Sequence, residues 1–340
     1  MADPQQTTSV AGDNPPISAP RKPQRKQVRW GDLALDNIVW ILLVVFALGA
    51  TTLNSFFFSV ANLQNVLVQA TTLGFVAVAI ALTMLLGEID LSVVGILGFS
   101  GAIGATVVDK GLPGWLGVIL VLVVGSLIGL VNGLCIAKLR MTSLIETLAM
   151  GLTLAGGVLA LTKGRTITIE AKSYTFIGQQ YVLGWPLMPL ALLLLFAVVA
   201  VVLTRTTWGR ELYATGGNKR AAYAAGISTD RLVVSAFVVS GLLSGFAGWL
   251  ATAYLSGVNS TMGTDLLLYA VAAPVIGGVS LFGGRGRVLG MLGGVLLLTV
   301  VQVGLQLVNI SAYYVSMVGG AMIFLAVFVD ALRIRRRETS

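Results

Sequence analysis

Long apolar stretches, each close to the ~20 residues that a helix needs to cross a hydrocarbon core, follow one another from Ile38 to Leu332. Ten are separable. They run from Ile38 to Leu53, Val66 to Leu86, Val93 to Val108, Trp115 to Ala137, Leu144 to Leu161, Pro186 to Thr204, Leu232 to Leu255, Leu266 to Leu281, Val288 to Leu307 and Ala312 to Leu332. The pattern predicts an all-α polytopic membrane protein of about ten transmembrane helices. Two places break the regularity. Only Gly87-Glu88-Ile89-Asp90-Leu91-Ser92 separates the second span from the third, and Pro274 with Gly277-Gly278 interrupts the eighth. Helices that break at membrane depth need protein or a water-filled cavity over the freed backbone, so a polar pathway is expected.

Charge sets the orientation. With an even number of spans both termini share a side, and with the N-terminus inside, 18 of the 22 Lys and Arg fall in cytoplasmic segments, as the positive-inside rule requires. Only Lys110, Lys163, Arg165 and Lys172 fall outside. The chain therefore divides into a disordered basic cytoplasmic tail at 1–33, a transmembrane domain at 34–332 whose longest cytoplasmic connection is 205–231, and a basic cytoplasmic tail at 333–340. Trp115, Trp185 and Trp208 are expected at span ends as interfacial anchors.

Composition then removes whole classes of function. The chain is 56% apolar and 11% charged, whereas a soluble domain carries about 25% charge. It has no histidine and one cysteine, Cys135, so a His-based metal site, a Ser-His or Cys-His nucleophile and an internal disulfide are excluded. The net charge of +8 reads as span flanks and lipid contacts, with no nucleic-acid partner. Gly283-Gly284-Arg285-Gly286-Arg287 lacks the Gly-Lys-Ser/Thr ending of a phosphate-binding loop, so the chain is not expected to be an enzyme. Gly95, Gly98, Gly101 and Gly104, and Gly286, Gly290, Gly293 and Gly294, read as close helix packing through small residues.

In the 205–231 connection, Asn218 is an N-cap, Lys219 to Ala225 favours helix and Gly226 suits a left-handed end. The result is a short, small-faced basic helix. Its residues alone leave two readings equally open: a solvated helix held near anionic lipid, or a docking knob oriented by Arg210, Lys219 and Arg220.

Three ordered motifs carry a resemblance. Trp208 to Asn218 (WGRELYATGGN) with Ala221-Ala222 and Gly226-Ile227, Glu88 to Val93 (EIDLSV), and Gly277 to Arg287 (GGVSLFGGRGR) resemble the permease subunits of bacterial ABC importers of the ribose, xylose and galactose type. The Ser311 to Asp330 stretch, with Tyr313-Tyr314, is similar to the last span of that family. Glu88 and Val94 stand where relatives usually have glycine, Leu267-Leu268-Tyr269 where they often have an acidic run, and Ala155 where an arginine is usual. The resemblance implies a permease of the bacterial cytoplasmic (inner) membrane that moves a monosaccharide or similar small polyol. It implies cytoplasmic ATPase subunits that carry ATP and Mg, an extracytoplasmic sugar-binding protein, and a second permease subunit, identical or different. The coupling loop that meets the ATPase would comprise Arg210, Gly216, Gly217, Asn218, Lys219, Arg220, Ala221, Ala222 and Gly226.

Candidate gate or hinge residues are Asp90, Ser92, Gly283 and Gly284. Asp90 also reads as a cap on the third span, and Glu146 as part of a capping box, Ser143-Leu144-Ile145-Glu146. Neutral amides and hydroxyls within spans suit a polyol, which needs no countercharge. Gln69, Thr71, Asn132, Gln302, Gln306 and Asn309 qualify, although such groups more often tie helices together. No cofactor is expected on this chain. An ion-coupled secondary carrier is the alternative. It is disfavoured because Asp36, Glu88, Asp90, Asp109, Glu146 and Asp265 all lie near span ends, whereas proton coupling uses titratable groups within spans.

Overall fold

With no water in the bilayer core, backbone N–H and C=O groups must pair within their own segment, which favours the helix. The computed structural model follows that rule. It describes residues 37–311 and, beyond them, 313–315, 317–322, 324 and 328. The expected tails at 1–33 and 333–340, and parts of the expected last span, lie outside the described residues; what is described between 313 and 328 is helical.

The helices are α1 (Ile38–Leu53), α2 (Val60–Leu85), α3 (Val93–Asp109), α4 (Gly114–Lys138), α5 (Ser143–Thr162), the short α6 (Lys172–Gln179), α7 (Met188–Arg205), α8 (Thr207–Gly217), α9 (Lys219–Ala224), α10 (Thr229–Leu255), α11 (Leu266–Ile276) and α12 (Val288–Leu307). Among the described residues, six helices are long and apolar enough to cross a membrane: α2, α4, α5, α7, α10 and α12. Helices α1, α3 and α11 are shorter apolar helices. The expected eighth span, Leu266 to Leu281, ends early. Gly277 caps α11 and Gly278 takes φ +88°, so the chain leaves the helix and turns.

From Leu73 to Leu82 helix α2 is apolar on every side and forms the centre, with Val76, Val78, Ala79, Ile80 and Ala81 no more than 1% exposed. The tightest seam joins α4 to α10. A Cβ at Gly129 would overlap the Phe237 carbonyl, and Gly125 and Gly241 each lie against the other's carbonyl oxygen. Four-residue spacing of glycine (125, 129, 133 on α4; 241, 245 on α10) lets two backbones touch along one face. The glycines singled out on α3 and α12 pack similarly, Gly95 against Gly151 and Gly290 against Gly277.

The connections separate onto two ends. At the basic end, Lys138 and Arg140 pair with Asp230 at 3.7 and 3.2 Å, and Ile89 N–H donates to Ser143 Oγ. At the opposite end, Gln179 Nε2 donates to the Tyr254 carbonyl and Gln64 Nε2 to that of Gly184. Two small antiparallel pairs also lie there: β1 (Ile167–Thr168) with β4 (Gly257–Val258), in register Ile167↔Val258, and β2 (Tyr181–Val182) with β3 (Trp185–Pro186).

Candidate functional site: the coupling face and the buried tie behind it

Local chemistry builds the 205–231 connection. Thr206 caps α8, its hydroxyl accepting from Gly209 N–H at 3.2 Å. Asn218 ends α8 and caps α9, with Oδ1 accepting from Ala221 N–H at 3.0 Å. At the far end Gly226 has φ +86°. Its N–H donates to the Tyr223 carbonyl and that of Ile227 to the Ala222 carbonyl, the paired bonds of a Schellman ending. Helix α9 is thus fixed at both ends by the residues that its sequence nominates. Sequence reasoning left α8 unassigned.

The two helices differ in surroundings. Trp208 Nε1 donates to Ser235 Oγ of α10 at 2.9 Å, which ties α8 inward; Trp115 and Trp185 are exposed. Tyr213 Oη donates to the Gly286 carbonyl at 3.0 Å, and burial raises the phenol above its ordinary pKa of 10.0, which keeps it a donor. At Gly216 a Cβ would overlap the Leu85 carbonyl oxygen. Gly283 and Gly284 complete the junction in left-handed conformations, φ +88° and +71°, with Gly284 N–H donating to that same Leu85 carbonyl at 2.9 Å. A Cβ at either position would press on backbone at Gly87 or Gly217. Two groups of candidates, the coupling loop and the Gly283-Gly284 turn, therefore meet at the end of α2.

By contrast, α9 faces outward. Arg210, Lys219, Arg220 and Ala221 are exposed and Ala222 alone is buried, while nothing lies within 4 Å of a Cβ built at Gly217. Tyr223 is 74% exposed. Sequence reasoning passed over it; the available signal was one aromatic residue in a helix of otherwise small and basic ones. Lys219 also pairs with Glu88 at 3.3 Å, a partner 131 residues away.

Behind this face sits the Asp90 cluster. Asp90 is fully buried. Its Oδ1 accepts from Ser92 N–H at 3.0 Å and Ser92 Oγ at 2.6 Å, and its Oδ2 from Ser240 Oγ of α10 at 2.8 Å. Ser92 Oγ in turn accepts from Asn132 Nδ2 of α4 at 2.8 Å, and Leu91 N–H donates to Thr147 Oγ1 of α5 at 3.0 Å. Asp90 accepts the Ser92 amide beside the start of α3, as expected of a capping carboxylate, and the same side chain also ties α3 to α10 through Ser240, while Ser92, which precedes α3, makes no side-chain cap of its own. The capping box at Glu146 is absent. Thr142 precedes α5, Ser143 Oγ is engaged by Ile89, and Glu146 Oε2 is buried with no hydrogen-bond partner among the described residues.

The six candidate pathway residues scatter. Gln69 and Gln302 line one cavity of about 150 Å³ together with Thr72, Tyr254 and Leu266. Thr71 is buried against the Leu67 carbonyl of its own helix, and Asn132 belongs to the Asp90 cluster. Gln306 and Asn309 are exposed at the end of α12, where Asn309 takes φ +56° just beyond the cap. The spacing of four and three in this trio is real, but the helix ends inside it. Among the described residues no group of three or more His, Cys, Asp or Glu could hold a metal ion.

Residues 62–327 match the family described as branched-chain amino acid transport system / permease component. The chain belongs to this permease family. It is 37% identical over 304 residues to the ribose import permease protein of Haemophilus influenzae, covering 88% of this chain and 94% of the relative. Over 309 residues it is 33% identical to the L-arabinose ABC transporter permease protein of Azospirillum brasilense, covering 91% of each. The fructose import permease protein of Rhizobium meliloti is 34% identical over 302 residues, 86% of this chain and 84% of the relative. No solved structure matches. As a family member with six helices, among the described residues, long and apolar enough to span, this permease is a multi-pass protein of the bacterial cytoplasmic membrane.

Proposed function

We propose that this permease is the membrane-spanning subunit of an ATP-driven monosaccharide importer, with about ten spans and both termini in the cytoplasm. Its relatives' names, ribose, L-arabinose and fructose permeases, support the substrate class. The observation that carries the mechanism is the joining of α8 and α9 to two other connections, through Leu85, Gly216 and Gly284 and through the Lys219–Glu88 pair. A push received on α9 would pass through these contacts to the 87–92 connection, and from Asp90 to α10 and α4. Weak bonds to neutral amides would let cargo leave, and the cavity holding Gln69 and Gln302 suits a polyol in that way. Energy enters from a cytoplasmic ATPase that binds ATP and Mg, and an extracytoplasmic sugar-binding protein delivers cargo to a pair of permeases.

Reconstitution of the permease with its ATPase and binding protein in vesicles tests this reading. Uptake of labelled ribose, L-arabinose or fructose is expected only with internal ATP and all components. Uptake by the permease alone, driven by an imposed ion gradient, would instead establish a secondary carrier.

A further inference from the structure

At the end opposite the coupling face, one backbone turn occurs twice with opposite side-chain chemistry. Lys163-Gly164 takes φ +52° and +72°, and Leu183-Gly184 takes φ +52° and +80°. The first pair stands in a polar connection, followed by Arg165, Thr166, Thr168 and Glu170. The second is the two-residue loop of the β2–β3 hairpin, in which Val182 pairs with Trp185. A hairpin loop with both residues at positive φ favours Asn-Gly, because a larger side chain crowds its own backbone in the left-handed region. Leucine nevertheless holds the first place, and it is 97% exposed. Turn chemistry does not select this residue; what surrounds its side chain does.

Tyr181, Val182 and Trp185 are exposed beside it, so the hairpin presents a contiguous apolar tip, and such patches mark a binding surface. Its place in the chain names the partner. The hairpin leads directly into α7, a helix long and apolar enough to span, whose exposed stripe runs through Leu190, Leu193, Leu194, Val198 and Val201, the face that a spanning helix turns to lipid. Leu190 stands in the first turn of α7, and no Asp, Glu, Lys or Arg occurs from Ser173 to Thr204. The tip is therefore continuous with a lipid-facing surface. A face shaped for a soluble protein carries a polar rim, whereas this one carries tyrosine and tryptophan, which settle at headgroup level. The main chain suits the same place. The Gln180 carbonyl accepts from Leu187 N–H at 3.0 Å and the Gly184 carbonyl from Gln64 Nε2 at 2.7 Å, so backbone groups are paired by protein where water is scarce. Gln64, near the start of α2, also fixes the height of the tip against that helix.

We infer that the β2–β3 hairpin is a lipid-inserted wedge. Leu183 and Val182 enter the boundary between headgroups and acyl chains in the leaflet opposite the coupling face, Tyr181 and Trp185 lie at headgroup level, and the hairpin anchors the starts of α7 and α2 there. The inference needs the chain to sit in a membrane and is independent of the importer reading. The test uses the full-length permease in discs of phosphatidylcholine, with an environment-sensitive fluorophore on a single thiol introduced by Leu183→Cys in a Cys135→Ser background. Lys163→Cys supplies a reference with matching backbone, and Val182→Cys a second reporter if the tip variant fails to fold. Nitroxides on the lipid, near the headgroup or at the chain end, report depth, and aqueous iodide reports water. The labels at 183 and 182 are expected to emit to the blue of the label at 163, to be quenched most by the shallow nitroxide, and to lose the iodide quenching seen at 163. Iodide quenching at 183 and 182 equal to that at 163, with no effect of either nitroxide, would overturn the inference. So would protection from iodide that appears only on assembly with the sugar-binding protein, which would assign the tip to a protein partner.

Discussion

Gly216 and Gly217 are adjacent and alike in sequence, yet they belong to different regions. Gly216 closes the root of the coupling element, pressed on the carbonyl of Leu85, whereas a Cβ on Gly217 would meet open space. The root (Trp208, Tyr213, Gly216) is packed inward; the tip (α9 with Asn218, Lys219 and Tyr223) is exposed and held mainly by its own caps. The difference separates two ways in which one loop can fail. Damage to the root should destabilise the permease itself, and damage to the tip should be felt only when a partner is present.

The largest effect is expected from Gly216→Val. Its side chain must displace the end of α2, at an overpacking cost of about 1–3 kcal/mol, so melting temperature in detergent and uptake should both fall. Gly217→Ala should leave the melting temperature within error. Equal stability losses in the two variants would erase the distinction. Next is Asn218→Ala, which removes the α9 cap at a local cost of about 1 kcal/mol. Hydrogen exchange at residues 219–224 should rise while global melting changes little, and ATP-driven uptake should decline. Tyr223→Ala removes a side chain that is 74% exposed and should change the stability of the isolated permease by no more than about 0.5 kcal/mol, while lowering the sugar moved per ATP in the full complex. An effect on the permease alone would place Tyr223 in the root. The smallest effect belongs to the Lys219–Glu88 pair, a partly exposed ion pair worth about 1 kcal/mol at most. K219E and E88K should each weaken coupling modestly, and the double swap should restore it, more so at low salt.

What was legible in the sequence divides along the same line. The limits of α1 and α12 agree with those read from apolar run length alone, and the ends of α9 follow from Asn218 and Gly226, because local chemistry decides them. Helix α8 was not legible, since two glycines at its end weaken the helical signal and its support comes from α10 and the 283–286 turn. Nor was the Lys219–Glu88 pair, the meeting of Gln69 with Gln302, or the α4–α10 seam, all of which depend on distant segments coming together. Asp90 stood out in the sequence because a carboxylate near the membrane needs partners; which partners it has depends on Ser240, 150 residues away.

The claim that α9 receives the drive from the ATPase is tested most directly by cross-linking. A Tyr223→Cys permease in a Cys135→Ser background, assembled with its ATPase and active in uptake, is treated with a short maleimide–succinimidyl ester reagent, whose maleimide adds to the introduced thiol and whose ester acylates ATPase lysines. The account predicts a permease–ATPase adduct through position 223 whose yield changes between nucleotide-free and ATP-bound states. A position 223 that stays freely reactive to a bulky maleimide in the transport-competent complex, with no adduct in either state, would contradict it.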